Sequence, residues 1–110
     1  MTANDPAMEE CIKACLACHR TCLQMAMSHC LKAGGKHTEP QHFVLMMACV
    51  EICQTSARLM LMNCDLHTKT CGACAEICAA CADSCEAVGD MEECVKTCRA
   101  CAETCGRMAG

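Results

Sequence analysis

The chain has no Trp, no Tyr and a single Phe in 110 residues, and only two Pro and six Gly. So few loop formers argue against a disordered or low-complexity chain. A formal charge of −4 with both signs interspersed leaves no basic stripe of the kind that follows a nucleic-acid backbone, so no nucleic-acid partner is expected. No run of 18 consecutive apolar residues occurs, so no membrane partner is expected either. There is no Ser-His-Asp arrangement, no phosphate-binding Gly loop and no organised carboxylate pair, and the chain does not read as an enzyme. Glu9, Glu10, Glu92 and Glu93 read instead as charges that favour helix N-terminal dipoles. The N-terminal stretch MTANDPAMEEC lacks a positive n-region and an apolar h-region, which gives a cytoplasmic expectation. A mature form with its export signal removed reads the same way.

Conventional core formers are scarce as well: seven Leu, three Ile, four Val and Phe43 are thin material for a domain of this length. What the chain has instead is sulfur, with 17 Cys and 10 Met. A cysteine content this high in a short chain ordinarily signals a secreted disulfide framework. Here the count is odd, and the spacing alternates between three and four residues, which is the helical period. The phrase EECIKACLACHRTC at residues 9–22 returns as EECVKTCRACAETC at residues 92–105, identical at nine of 14 places, which suggests duplication of a helical hairpin.

Stop and start signals divide residues 1–110, taken as one domain, into four helices. Asp5 caps a first helix with Pro6 in its first turn, and Gly34-Gly35 ends it. Thr38-Glu39-Pro40 opens a second that runs to about Asp65. The third spans about Thr68 to just before Gly89, and Asp90 caps a fourth that reaches about Arg107. No stretch shows strand alternation. Short connections make neighbours antiparallel, so the expected fold is all-α, an antiparallel up-down four-helix bundle.

On a helical wheel Cys11, Cys15, Cys18 and Cys22 fall within about 60° of one another, as do Cys94, Cys98, Cys101 and Cys105. The third helix carries Cys71, Cys74, Cys78, Cys81 and Cys85 on one seam. The second carries Cys49, Cys53 and Cys64, with Met46, Ser56 and Met60 at intervening places. Cys30 sits roughly 80–100° off the stripe of its helix. Four seams turned to the bundle axis give a cysteine-lined core where Leu and Ile are usual. Ile12, Leu16, Leu23, Ile77 and Val95 flank the seams and are expected to hold the helices together.

One or two such cysteines read as small buried hydrophobes. A whole axis of them sacrifices packing that Leu supplies better. Metal binding explains the axis, because soft thiolate ligands favour Cu(I) or Zn(II). Zn(II) held by four thiolates carries −2 per site, which accumulates about eight negative charges over four sites in a narrow dry axis. Monovalent Cu(I) with bridging thiolates approaches one ion per sulfur and stays neutral. Two alternatives remain open at this point: a metallothionein-like zinc or mixed-metal sink, and a redox or assembly module of helices crosslinked by disulfides. The CxxxCxxC spacing also occurs in iron–sulfur loops of radical enzymes, but there it lies on a loop of a much larger barrel.

His29 and Met25 continue the first seam, and His42 and Met46 begin the second, so an antiparallel hairpin brings all four to one end together with Cys85 and Met91. That end reads either as a mouth with weaker, exchangeable ligands or as ordinary Met filler with exposed His. His67 lies on the third seam at the opposite end, while His19 and His37 read as solvent-facing.

Repeated CxxxC and CxxC phrases on all four helices, with His and Met at one end, resemble the bacterial copper storage proteins, in particular the cytosolic type, over roughly residues 8–108. The resemblance implies a four-helix bundle, usually a homotetramer, that holds many Cu(I) ions through cysteine thiolates. Carried over, the ligands are Cys11, Cys15, Cys18, Cys22, Cys49, Cys53, Cys64, Cys71, Cys74, Cys78, Cys81, Cys85, Cys94, Cys98, Cys101 and Cys105. Cys30 is a further candidate, and His29, His42, Met25 and Met46 join them if the mouth binds metal. Met60 at a seam place and Cys30 off it are departures, so capacity need not equal the cysteine count. Copper-delivery or acceptor proteins are the other implied partners. FVLMMACVEIC at residues 43–53 and LMLM at residues 59–62 make the second helix apolar beyond its inward face, which independently suggests a homo-oligomer.

Overall fold

The computed structural model describes residues 5–110. Helix α1 runs Pro6–Met25, passes through a π-helical segment, Ala26–Cys30, and ends in a last α turn, Leu31–Ala33. A 3-10 turn, Gly35–Thr38, leads into α2 (Pro40–Leu61); α3 is His67–Val88 and α4 is Glu92–Met108. Each helix packs against its neighbour in chain order, and α1 closes the ring against α4. The result is a four-helix rod of 48 × 21 × 18 Å with no strand among the described residues.

The helix starts follow from local chemistry. Asp5 has extended backbone and its Oδ1 accepts the Met8 N–H at 2.8 Å, satisfying one of the free donors of the first turn. Pro6 and Pro40 stand at the first positions of α1 and α2, where no N–H is needed. Asp90 does not cap the last helix. It sits in the α3–α4 turn with φ 57°, and Met91 takes the cap position. A short turn after Gly89 (φ 88°) needs a second left-handed residue, which Asp tolerates. Similarly, Asn63 at φ 57° stops α2 at Leu61, four residues before the expected end near Asp65. Cys64 therefore lies in the α2–α3 turn and not on a helical stripe.

The π segment changes the register of α1. A π turn contains one residue more than an α turn, so residues beyond it are set back by roughly 100° on the wheel. That offset matches the displacement of Cys30 from its stripe, and Cys30 is fully buried. The Ser28 hydroxyl donates to the Gln24 carbonyl at 2.5 Å in this segment, a back-bond that disturbs regular helices.

Ile12 is buried, and Leu23, Ile77 and Val95 are half-buried against the core, as flanking residues should be. Leu16 is not; it is 43% exposed. Helix α2 is long and apolar enough to cross a membrane by length and composition, with a mean hydropathy of 1.4. Only 39% of that window is buried inside the bundle, and Val44, Leu61 and Met62 are exposed. Its apolar character thus exceeds what the bundle core uses.

Replacing Asp5 by Ala should lower the unfolding free energy of the reduced apo-protein by about 1 kcal/mol, the usual worth of an N-cap. Urea denaturation followed by circular dichroism reads the shift.

Candidate metal centre

Sixteen of the 17 cysteines are buried, and none is paired. The cause is the spacing: steps of three and four keep each seam on one helical face, and the ring of four helices points all four faces at the axis. At the end where α1 begins, the sulfurs of Cys11, Cys71 and Cys105 lie within 4.8 Å of one another. Cys15, Cys74, Cys101 and Cys105 form the next group, followed by Cys53, Cys74, Cys78 and Cys101. Cys18, Cys49, Cys53 and Cys78 come after that, and then Cys18, Cys22, Cys49 and Cys98. Consecutive groups share sulfurs, so the column is continuous. Cys81 and Cys85, 4.0 Å apart, extend it, and Cys22 and Cys85 both interact with Cys94.

The separations suit metal sharing. Within the column, sulfurs approach to 3.4 Å between Cys15 and Cys105, 3.5 Å between Cys18 and Cys49, and 3.9 Å between Cys101 and Cys105. With metal–sulfur bonds of about 2.3 Å, the ligands of a three-coordinate ion stand about 4 Å apart. An ion can therefore enter with sulfur shifts of a few tenths of an ångström. The sulfurs of the close groups each have two or more near neighbours, as bridging ligands require.

The protons are part of the arrangement. Hydrogen bonding with Cys101 holds the Cys53 thiol above its ordinary value and holds Cys74 below its own. Burial pushes Cys30 up, with the proximity of Cys85 and Cys22 adding to it. A dry row of bare thiolates is costly, so neighbouring sulfurs of raised and lowered proton affinity share protons until cations replace them. Loading must release protons.

The end bearing Cys85 gathers thioether and imidazole ligands. Cys85 Sγ lies 3.9 Å from Met46 Sδ, and Cys30 Sγ lies 3.8 Å from Met91 Sδ. His42 is buried, with Nδ1 2.7 Å from Ser84 Oγ, and its Nε2 is buried without a partner, as is Nε2 of His29. Met25 and His29 are half-buried. A cavity of about 330 Å³ reaches Cys85 and Met91, and a groove of about 640 Å³ reaches His42 and Ser84. His37, expected in solvent, is half-buried: its Nδ1 lies 3.9 Å from Cys30 Sγ and its ring stands edge-on to His29 at 4.9 Å. The π segment carries Cys30 to this end and the 3-10 turn folds His37 over it; neither has a signal in hydrophobic periodicity. His19 is likewise engaged, with Nδ1 2.8 Å from the Val50 carbonyl oxygen, which ties α1 to α2.

At the opposite end, His67 is 8% exposed and continues the α3 seam. Cys64 is half-buried and belongs to none of the close sulfur groups. On the inward stripe of α2, Ser56 and Met60 are fully buried, and the Ser56 hydroxyl has no hydrogen-bond partner.

The chain matches the family model described as copper storage protein over residues 4–110. Among solved structures, a protein from Nitrosospira multiformis is 59% identical, with a TM-score of 0.94, over 96% of this chain and 97% of that one. The Cu(I)-bound copper storage protein BsCsp3 is 30% identical, with a TM-score of 0.86, over 94% and 99% of the two chains. The apo form of copper storage protein 3 from Bacillus subtilis is 31% identical, with a TM-score of 0.76, over 93% and 98%. No curated protein sequence matches at a significant level.

Ser56→Ala removes a buried unsatisfied hydroxyl and inserts a better helix former. The reduced apo-protein should gain about 1 kcal/mol, read as a higher urea midpoint with an unchanged slope.

Proposed function

Because the chain belongs to the copper storage protein family, we propose that it is a non-catalytic cytoplasmic store that takes up many Cu(I) ions per chain inside a single bundle domain. The observation that carries this reading is the continuous sharing of sulfurs between successive close groups along the axis. Isolated four-thiolate sites divide their ligands; these do not. Column thiolates from Cys11 to Cys22, Cys49 and Cys53, Cys71 to Cys85 and Cys94 to Cys105 are the proposed ligands.

Charge favours Cu(I) over Zn(II), since only a monovalent ion balances a thiolate one for one in a dry interior. Several near neighbours for sulfurs such as Cys49, Cys53 and Cys101, in place of one partner, favour metal sharing over disulfide crosslinks. Seventeen unpaired thiols fit the reducing cytoplasm. Met25, His29, Cys30, His42 and Met46 form the exchange end, where thioether and imidazole ligands pass ions between the column and delivery or acceptor proteins. The exposed apolar side chains Leu16, Val44, Leu61, Met62 and Leu66 support assembly into a homotetramer without nucleic acid or membrane.

Anaerobic titration of the reduced protein with Cu(I) against a competing chelator tests the reading. Saturation near one ion per column thiol is expected. Saturation near four equivalents, which is roughly the column thiols divided by four ligands per ion, would restore the zinc-like alternative.

A further inference from the structure

The column changes its ligands at the end remote from the exchange mouth. The seams of α1, α3 and α4 carry thiols to Cys11, Cys71 and Cys105, but α2 supplies its last column thiol at Cys53. One and two turns further along its inward stripe stand Ser56 and Met60, both fully buried. On α3, His67 precedes Cys71 by four residues, the CxxxC spacing with imidazole in place of the first thiol. The His67 position is fixed by its backbone, whose N–H donates to the Cys64 carbonyl at 3.0 Å and whose carbonyl accepts from Thr70 Oγ1 at 3.0 Å.

Two neutral ligands converge on one thiol here. Nδ1 of His67 lies 3.7 Å from Cys71 Sγ, and Sδ of Met60 lies 4.0 Å from the same sulfur. Around a three-coordinate ion with metal–sulfur bonds of about 2.3 Å and a metal–nitrogen bond of about 2.05 Å, nitrogen and sulfur stand about 3.8 Å apart and two sulfurs about 4.0 Å. The separations of both donors from the Cys71 sulfur already match these values. We propose that this end of the bundle holds a Cu(I) ion on the Cys71 thiolate, the Met60 thioether and Nδ1 of His67, a mixed sulfur–nitrogen site that caps the thiolate column. The inference rests on the storage reading and adds a site to it.

Charge explains why such a cap belongs at an end. A Cu(I) ion on three unshared thiolates carries −2, and neutrality along the column is recovered only by sharing each sulfur with the next layer. The terminal layer has a neighbour on one side only. One thiolate with two uncharged donors closes the series at net zero, and both donor types are ones that soft cations accept. The layer also sits where the rod becomes accessible, since His67 retains 8% of its surface and the adjoining Cys64 is half-buried. Its ion accordingly lies next to the accessible end of the rod.

The test uses the full-length reduced protein, labelled with ¹⁵N in histidine and titrated anaerobically with Cu(I) while the thiolate-to-copper ultraviolet band is followed. His67→Gln identifies the His67 resonance by its loss. The expected result is a large shift of His67 Nδ1 by the end of loading, together with a capacity one equivalent per chain lower in His67→Gln. Met60→Leu, a volume-conserving change, should lose the same equivalent and serves if the first variant folds poorly. A fully developed band with the His67 resonance unmoved would overturn the cap and leave the storage reading intact. Absence of the band would overturn both, so the two failures are distinguishable.

Discussion

A thiolate buried in a narrow apolar tube must have a positive charge within bonding distance, and nearly everything in this bundle follows from that constraint. The column brings sulfurs from four helices to 3.4–4.0 Å, too close for several of them to ionise without a cation between them. A divalent ion overcharges some sites or leaves thiolates unbalanced. A singly charged soft ion matches each thiolate and tolerates shared ligands.

The fold is the means of holding that column, and it gives up ordinary packing to do so. Axial positions that Leu would fill hold Cys, so the conventional apolar contribution falls to Ile12, Val50 and the half-buried Leu23, Phe43, Ile77 and Val95. Methionine fills the two ends, where Met46, Met60 and Met91 are fully buried. Surface ion pairs such as Arg99 with Asp83 and Glu86 are exposed and contribute little to stability. Copper binding that prefers the native state, where the thiols are already gathered, therefore supplies stability as well as function through linkage. The same linkage ties loading to proton release.

The seams were readable because a period of 3.5 residues survives in the sequence without knowledge of neighbours: Cys11 to Cys22, Cys71 to Cys85 and Cys94 to Cys105 all face inward as their spacing requires. The antiparallel bundle followed from short connections. The sequence misled where one residue changes the backbone register. The π segment at Ala26–Cys30 restores Cys30 to a buried position, and a left-handed Asn63 leaves Cys64 outside the helix. Histidine contacts were the other gap. His19 reaches the Val50 carbonyl and His37 reaches Cys30, partners brought together by tertiary packing and the 3-10 turn, about which residue spacing is silent.

The most direct measurement is anomalous X-ray diffraction at the copper edge from crystals grown of fully Cu(I)-loaded protein. The account predicts a file of copper peaks along the bundle axis between α1, α2, α3 and α4, each bound to sulfurs from more than one helix. Copper confined to the surface, or an axis whose cysteines are joined in disulfide pairs, would contradict it.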